Sequence, residues 1–194
     1  MNKLLSSLPG VLLATLTPGA FLFAADQYKI DSDHTLVAFE VDHFGFSSSL
    51  GWVGGISGSI SYDAEDLSNS SVKVSLLTGS IVTNNDQRDA WIKSAKVLNA
   101  AAQPVMSFRS SSIGVSSGTI SKITGDLSMN GVSLPVELAV TFNGAAPHPI
   151  SKKDTIGFSA TTVINRSDWG VDAFVGQIGD EVVIRIELEA TETN

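Results

Sequence analysis

The sequence predicts an all-β, antiparallel domain, and three observations support this prediction. Apolar and polar residues alternate with period two along most of the chain, which is typical of strands with one apolar and one solvated face. About eight or nine such segments are separated by turns rich in Gly, Ser and Asn. One stretch, residues 83–99, lacks the alternation. The pattern fits either a two-sheet sandwich or a closed up-and-down barrel with room for a small ligand.

The alternating segments follow one another along the chain, and each presents one apolar face. The sets that share a face are Val37, Phe39, Val41 and His43; Val72, Val74 and Leu76; Ile123, Gly125, Leu127 and Met129; Val136, Leu138, Val140 and Phe142; Ile156, Phe158, Ala160, Thr162 and Ile164; and Val182, Ile184, Ile186 and Leu188. A chain of 194 residues is long enough to bury these faces in one domain with a substantial core.

The non-alternating stretch predicts a short helical segment near residues 86–95. Ala90, Trp91, Ile92 and Ala95 can form a short helical piece, and Asp86 or Asp89 lies near its N-terminus, where the helix dipole favours a negative charge. We expect this segment to cap one end of a barrel.

The first 25 residues have the pattern of a cleavable export signal. Lys3 supplies the positive charge, an interrupted apolar stretch runs from Val11 to Phe23, and Ala24 and Ala25 offer small residues for cleavage. The alternative is an uncleaved membrane anchor, but two Pro-Gly pairs make the stretch a poor spanning helix. We therefore predict a signal peptide at 1–25, a mature domain at 26–194 without a spanning segment, and a periplasmic location.

Composition excludes several classes of function. Hydrophobic residues make up 43% of the chain and charged residues 16%, as expected of a folded protein. The formal charge is −8 and no basic block is present, so a nucleic-acid partner is not expected. Cysteine is absent, which excludes disulfides, thiol nucleophiles and cysteine-ligated zinc.

The histidines and serines do not form a recognisable catalytic or metal-binding pattern. His34 and His43 are separated by an odd number of residues and would face opposite sides of a regular strand, while His148 lies in a proline-flanked loop. No G-x-S-x-G motif is present. We predict no catalytic residue, no metal site and no cofactor. His34 is interpreted as a turn residue, and His43 as part of a hydrogen-bond network or a cavity mouth.

Two Arg-containing segments stand out, and each has two interpretations. Arg88 precedes Asp89, and Arg166 lies two residues before Asp168. An Arg close to an Asp is most often a structural clamp in a turn. Alternatively, the guanidinium lies at a cavity rim, where it would bind an anionic head group.

Six stretches, in this order, resemble the YceI-like family of exported lipid-binding proteins. They are residues 28–60, 83–92, 103–113, 123–138, 157–171 and 178–190, and they cover nearly all of the predicted mature chain. The resemblance implies an extended, lipocalin-like, up-and-down β-barrel of about eight strands. It also implies a non-enzymatic protein whose apolar lumen holds a long-chain isoprenoid, such as an isoprenoid quinone or a polyprenyl phosphate, or a similar amphiphile.

On this basis we predict a set of ligand-binding residues that point into the lumen or lie at its mouth. They are Val37, Phe39, Val41, His43, Met106, Phe108, Leu127, Met129, Leu138, Val140, Phe142, Phe158 and Ile184, with Arg88 and Arg166. The chain departs from the family pattern at Val53, Ile56, Val97 and Leu98, where aromatic residues are common.

Three further expectations stay open at this stage. Exposed apolar residues such as Trp52 and Trp91 make a homodimer plausible, although Trp also fills cores. The alternatives to a lipid carrier are a metal-binding or catalytic barrel and a stress-protective protein with a solid core.

Overall fold

The structure, a computed structural model, describes residues 25–193, which contain ten strands, one α-helix and three short 3-10 helices at Leu67–Asn69, Thr78–Ser80 and Arg166–Trp169. The elements are β1 (Asp26–Ile30), β2 (Leu36–His43), β3 (Ser47–Val53), β4 (Ser57–Tyr62), β5 (Ser71–Leu77), α1 (Asp86–Lys93), β6 (Val105–Ser116), β7 (Thr119–Met129), β8 (Val132–Pro147), β9 (Asp154–Asn165) and β10 (Ile178–Glu192). The predicted signal peptide lies outside the described residues except for Ala25, so its cleavage stays a prediction. None of the helices within residues 25–193 is long and apolar enough to cross a membrane.

Eight of the strands close into an antiparallel barrel, which confirms the all-β, lipocalin-like architecture. The ring runs β1-β4-β5-β6-β7-β8-β9-β10 and closes because β10 also pairs with β1. From β4 to β10 each strand pairs with the next in sequence. This up-and-down order lets the apolar face of every strand point into one shared interior.

The β2–β3 hairpin is the exception to that order, because it lies between β1 and β4 in sequence and pairs elsewhere. β2 pairs with the first part of β10, from Ile178 to Glu187, and β1 pairs with the last part, from Ala190 to Glu192. The free edge of β3 is tied to the segment after β5, because Trp52 and Val82 exchange two backbone hydrogen bonds of 3.0 Å. One end of the barrel wall is therefore built by this hairpin and the other end by β1.

Two short turns show how the sequence fixes the strand register. Asn130 and Gly131 have positive φ angles of 49° and 79°, and Ser117 and Gly118 have 51° and 78°. Two-residue turns with both φ angles positive match the twist of antiparallel strands, and Asn-Gly is their preferred sequence. Because consecutive strands run in opposite directions, the β7–β8 turn lies at one end of the barrel. The β6–β7 and β8–β9 turns lie at the other end.

An aromatic plug of four rings closes the end that carries the β8–β9 turn. Tyr28 and Tyr62 meet edge to face with ring centroids 6.3 Å apart, and Tyr62 stacks on Phe142 at the same separation. Phe142 in turn lies 5.3 Å from Phe158. Such ring pairs add to the free energy gained from burying their area, so this end is solidly packed.

Gly125 on β7 is a position where the packing requires glycine. A Cβ atom there would overlap the backbone oxygen of Arg109 and lie 2.6 Å from the ring of Phe108. We expect Gly125→Ala to lower the free energy of unfolding by about 1–3 kcal/mol, because backbone or ring must shift. Gly157→Ala on β9 is the matched control, since its nearest neighbour would be 3.7 Å away. Equal denaturant midpoints for the two variants would contradict this packing argument.

Candidate functional site

The interior of the barrel contains a cavity of about 980 Å³. Most of its lining is apolar and comes from the inward faces of β2 and of β4 to β10. All the predicted ligand-binding residues except Phe142 line it: Val37, Phe39, Val41, His43, Arg88, Met106, Phe108, Leu127, Met129, Leu138, Val140, Phe158, Arg166 and Ile184. The alternation therefore located the wall of a cavity, although lining a cavity does not by itself test ligand binding.

Phe142 lies outside the lining, and this corrects its predicted position. Its ring packs in the aromatic plug between Tyr62 and Phe158. Phe142 does point inward, as the alternation indicates, but it lies below the floor of the cavity. Period-two alternation gives the face of a strand on which a residue lies and carries no information about its depth in the barrel.

The cavity opens at the end of the barrel opposite the plug. Among the described lining residues, the exposed ones all come from the β2–β3 turn, from α1 with its preceding residue, and from the loop after β9; we call them the rim. The rim consists of Phe44, Asn85, Gln87, Ala90, Trp91, Phe174 and Gln177. The other described lining residues are buried or half-buried, so the rim marks the mouth.

Direct contacts join the three parts of the rim. The backbone N–H of Phe44 donates to the carbonyl of Gln177 over 3.1 Å. The rings of Trp91 and Phe174 lie 5.9 Å apart. The Asn85 side chain caps α1, because its oxygen accepts a hydrogen bond from the N–H of Arg88 over 2.9 Å. The predicted helix is therefore present as α1 and forms one side of the mouth.

Arg88 and Asp89 together anchor α1 to the segment before it. Arg88 Nε donates to Thr83 Oγ1 over 2.8 Å, and its Nη2 donates to the Thr83 carbonyl over 2.6 Å. The buried Asp89 accepts hydrogen bonds from the backbone N–H and the hydroxyl of Thr83, which lowers the pKa of Asp89. Within residues 25–193, Nη1 of Arg88 has no acceptor, so this half-buried guanidinium keeps donors for a ligand at the mouth.

Arg166 is a structural clamp, one of the two roles considered for it. Its Nε donates to the carbonyl of Gly179, its Nη1 to the carbonyls of Val171 and Ala173, and its Nη2 to that of Ile178, over 2.7–3.2 Å. Burial lowers the pKa of Arg166, although nearby carboxylates act in the opposite direction. These bonds shape the loop that carries Phe174, and they use most of the N–H groups of the guanidinium.

Asp180, on β10, holds the start of the loop that follows β9. The backbone N–H and the hydroxyl of Ser167 donate to its two carboxylate oxygens over 2.9 and 2.6 Å. These hydrogen bonds favour the charged form and lower the pKa of Asp180. Together with Arg166, Asp180 therefore holds the chain between β9 and β10 in place.

The three histidines lie apart from one another. His34, in the exposed loop before β2, pairs with Asp31 over 2.8 Å, and this contact raises the pKa of His34. His43 lines the cavity with its ring 4.5 Å from that of Phe44, and His148 Nδ1 accepts from two backbone N–H groups of its own turn. No three His, Cys, Asp or Glu side chains of residues 25–193 are grouped to hold a metal ion.

Several lining residues were not predicted as such from the sequence. Phe44 and Phe174 lie in turns with positive φ angles of 57° and 60°, where no strand periodicity can indicate a direction. The four positions that depart from the family pattern, Val53, Ile56, Val97 and Leu98, all line the cavity. Their departure from the pattern was the one available signal.

Comparisons with known proteins give one consistent family. Residues 28–190 match the family model described as a YceI-like domain. A UPF0312 protein of Azotobacter vinelandii is 35% identical over 184 residues, covering 91% of this chain and 95% of its own. The crystal structure of a Campylobacter jejuni YceI protein has a TM-score of 0.71 at 26% identity, covering 79% of this chain and 90% of its own.

A third similar protein is known for its ligand class. It is a polyisoprenoid binding domain from Saccharophagus degradans implicated in plant cell wall breakdown, with a TM-score of 0.64 at 14% identity. The match covers 88% of this chain and all of that domain. At this identity the likeness shows the fold.

The lowered pKa of Asp180 gives a pH-dependent prediction for the clamp. A carboxyl whose pKa is depressed in the folded state stabilises that state above its unfolded pKa, and the effect is lost as pH falls through the folded value. We expect Asp180→Asn to lower Tm at pH 7 by about 3 °C, and the difference from the native protein to shrink below about pH 4. Calorimetry of both proteins from pH 7 to pH 3 measures this.

The exposed Asp172, in the loop after β9, provides the control. Asp172→Asn should leave Tm nearly unchanged at pH 7. A pH-independent difference between Asp180→Asn and the native protein would show that the carboxylate charge has no part in the clamp.

Proposed function

The chain belongs to the YceI-like family, and from this premise we propose that it is a periplasmic carrier of a long-chain isoprenoid or a similar amphiphilic lipid. The bound molecule would be an isoprenoid quinone or a polyprenyl phosphate. Its chain would lie in the barrel cavity and its head group at the rim.

The apolar cavity with a single mouth is the observation that carries this proposal. Its volume of about 980 Å³ lies at the upper end of the range of about 300–1,000 Å³ for small-molecule sites. Its lining consists mainly of Val, Ile, Leu, Met and Phe side chains. Moving an apolar chain from water into such a site is favourable by about 25 cal/mol per Å² of buried surface.

The Saccharophagus degradans domain supports the choice of ligand class, since it shares the fold and is described as polyisoprenoid binding. A solid-core protein would have no use for an open cavity of this size, so the cavity favours binding over a purely protective role. Polar residues are a minority of the lining, and the family and the polyisoprenoid binding neighbour support binding rather than catalysis. The protein is therefore proposed to be a binding protein and not an enzyme.

Export is proposed from the sequence of residues 1–25 alone. A carrier of an apolar chain has a clear use between two membranes, because free long-chain lipids are poorly soluble in water. The homodimer stays a prediction. Trp52 is 45% exposed and is available for such a contact, whereas Trp91 is engaged with Phe174 at the mouth.

Arg88 is the better of the two arginines for a head group. Its Nη1 has no acceptor within residues 25–193, and its side chain lines the cavity beside the mouth. A guanidinium with free N–H groups is suited to a phosphate, which it can bind through two parallel hydrogen bonds. Arg166, also predicted to bind the ligand, has most of its donors committed to backbone carbonyls.

Filling the cavity should abolish lipid binding while the fold is kept. Val140 on β8 is half-buried and lines the cavity, so Val140→Trp would place a large ring in the space of the ligand. Native mass spectrometry of protein purified gently from its producing cells is expected to show one lipid adduct on the native chain and none on Val140→Trp. Lipid analysis of the released adduct should identify a long-chain isoprenoid.

The neighbouring Thr141 is exposed on the outer face of the same strand, so Thr141→Trp is the matched control and should keep the adduct. Circular dichroism checks that both variants fold. An undiminished adduct on folded Val140→Trp would place the lipid elsewhere. A bare native chain that also takes up no added isoprenoid would contradict the carrier proposal.

Replacing Arg88 should distinguish an anionic from a neutral head group. Geranylgeranyl phosphate and geranylgeraniol share one chain and differ in the head group. We expect Arg88→Gln to weaken binding of the phosphate about tenfold more than binding of geranylgeraniol, since hydrogen bonds to charged groups contribute about 1.5–3 kcal/mol. The variant also loses the two contacts with Thr83, but any resulting shift of α1 would affect both compounds alike. Titration calorimetry with both compounds measures the difference.

Lys93→Gln removes a positive charge from the same helix at a residue outside the cavity lining, and should weaken the phosphate much less. Equal losses for both variants would indicate a general charge effect and would remove Arg88 from the head-group site.

A further inference from the structure

Apolar side chains project into solvent around the mouth of the cavity. Phe46, at the tip of the β2–β3 turn, is 91% exposed, and Phe44 in the same turn is 50% exposed. In the facing loop Phe174 is 56% and Val175 42% exposed. The hydrogen bond from the Phe44 N–H to the Gln177 carbonyl joins the turn to the loop. We call these four side chains the crest. Exposed apolar patches of this kind are typical of contact sites for proteins or membranes.

Folding alone does not explain two of the four crest residues. Phe44 and Phe174 have positive φ angles of 57° and 60°, a conformation that is costly for a bulky residue and easy for Gly or Asn. The other non-glycine residues of the described chain with positive φ are polar: Asn84, Asn99, Ser117, Asn130 and Lys152. Each ring contacts one neighbouring ring, yet about half of its side chain stays exposed. A strained backbone that leaves this much of an aromatic side chain in solvent points to a use for that ring outside the fold.

The charge around the crest indicates what kind of surface it would meet. Residues 43–47 and 173–178 contain no Asp, Glu, Lys or Arg, and the exposed Asp42 and Asp172 that flank them are both acidic. The exposed rim residues carry no charge. The whole chain has a formal charge of −8. An anionic surface would therefore gain nothing from general electrostatic attraction, whereas aromatic rings beside polar amides suit the boundary between head groups and acyl chains.

The crest is also continuous with the mouth, since Phe44 and Phe174 line the cavity as well. If the crest were inserted in a bilayer, the rim would lie at the bilayer surface. An apolar chain could then pass directly from the bilayer into the cavity. A second copy of the chain is a weaker candidate. Four side chains supply only part of the roughly 1,200–2,000 Å² that a stable protein interface buries.

We propose that the crest docks the protein on the surface of a neutral lipid bilayer, with the mouth of the cavity facing the lipid. The proposal adds a docking surface to the proposed function and rests on that function for its purpose. Its test does not depend on the identity of the carried lipid.

The experiment is flotation of the exported protein, purified from its producing cells and free of the predicted signal at residues 1–25, with vesicles of pure phosphatidylcholine. The variant is F46S/V175S, because neither side chain lines the cavity and the cavity should keep its capacity. We expect the native protein to float with the vesicles at low and at high salt, and the variant to partition at least about a hundredfold less, as the loss of two buried apolar side chains implies. The matched control is Ile150→Ser, since Ile150 is 86% exposed in the β8–β9 turn at the opposite end of the barrel.

Binding of geranylgeraniol without vesicles separates the docking surface from the carrier function. Unchanged binding by folded F46S/V175S together with lost flotation supports the proposal. Flotation that depends on the crest would support docking even if neither the native protein nor the variant bound geranylgeraniol. In that case only the carrier function would be contradicted.

Three results would overturn the docking proposal. The first is a native protein that does not float. The second is an equal loss of flotation in Ile150→Ser. The third is a native protein that does not float and that forms a dimer in analytical ultracentrifugation, where F46S/V175S is a monomer. This result would assign the crest to contact with a second copy of the chain.

Discussion

The pairing of β1 with both β4 and β10 is the interaction on which the cavity depends. An open sheet of this length would expose its apolar face, and only closure gives that face a shared interior. Because the interior contains a cavity of about 980 Å³, interior packing cannot stabilise the barrel along its whole length. The rest of the stabilisation must come from the continuous ladder of backbone hydrogen bonds and from the solid packing at one end. The aromatic plug that supplies this packing lies where β1 completes the ring.

The division of β10 between two partners makes the ends of the barrel different. Its last residues pair with β1 beside the plug, and its first residues pair with β2 beside the mouth. The β2–β3 hairpin, α1 and the loop after β9 surround that mouth, and none of them continues the ring. The hairpin is held by backbone pairing with β10. The helix and the loop depend instead on side-chain anchors: Asp89 with Thr83 for the helix, and Arg166 and Asp180 for the loop. The end of the barrel that would handle a ligand is thus held by polar contacts, and the end that closes the fold by apolar ones.

The sequence predicted the faces of the strands well, because period-two alternation follows directly from strand geometry. It placed Val140 and Phe158 correctly in the wall, but it could not show that Phe142 belongs to the plug, since depth depends on which strands are neighbours. The mouth was harder to predict. Phe44 and Phe174 lie in turns, where direction depends on one φ angle, and alternation cannot show that β2 and β3 leave the ring. For both Arg88 and Arg166 the sequence allowed either a structural clamp or a head-group site. It could not choose for Arg166, because the carbonyls that bind this side chain belong to a loop whose path the sequence does not show.

The nature of the lining limits the kind of selectivity that such a barrel can have. Apolar contacts contribute about 0.8 kcal/mol per buried methylene and respond to the size and shape of a chain, with little regard for its chemical detail. The four positions at which the resemblance implies aromatic residues bear on shape alone. Val53, Ile56, Val97 and Leu98 line the cavity, and each leaves more space than an aromatic ring would. Under the proposed function, chemical discrimination would come from the mouth, where Arg88 has free donors beside uncharged side chains. A barrel of this design would select chain bulk by its interior and head group by one guanidinium, so relatives could change ligand by substitutions in the wall without altering the fold.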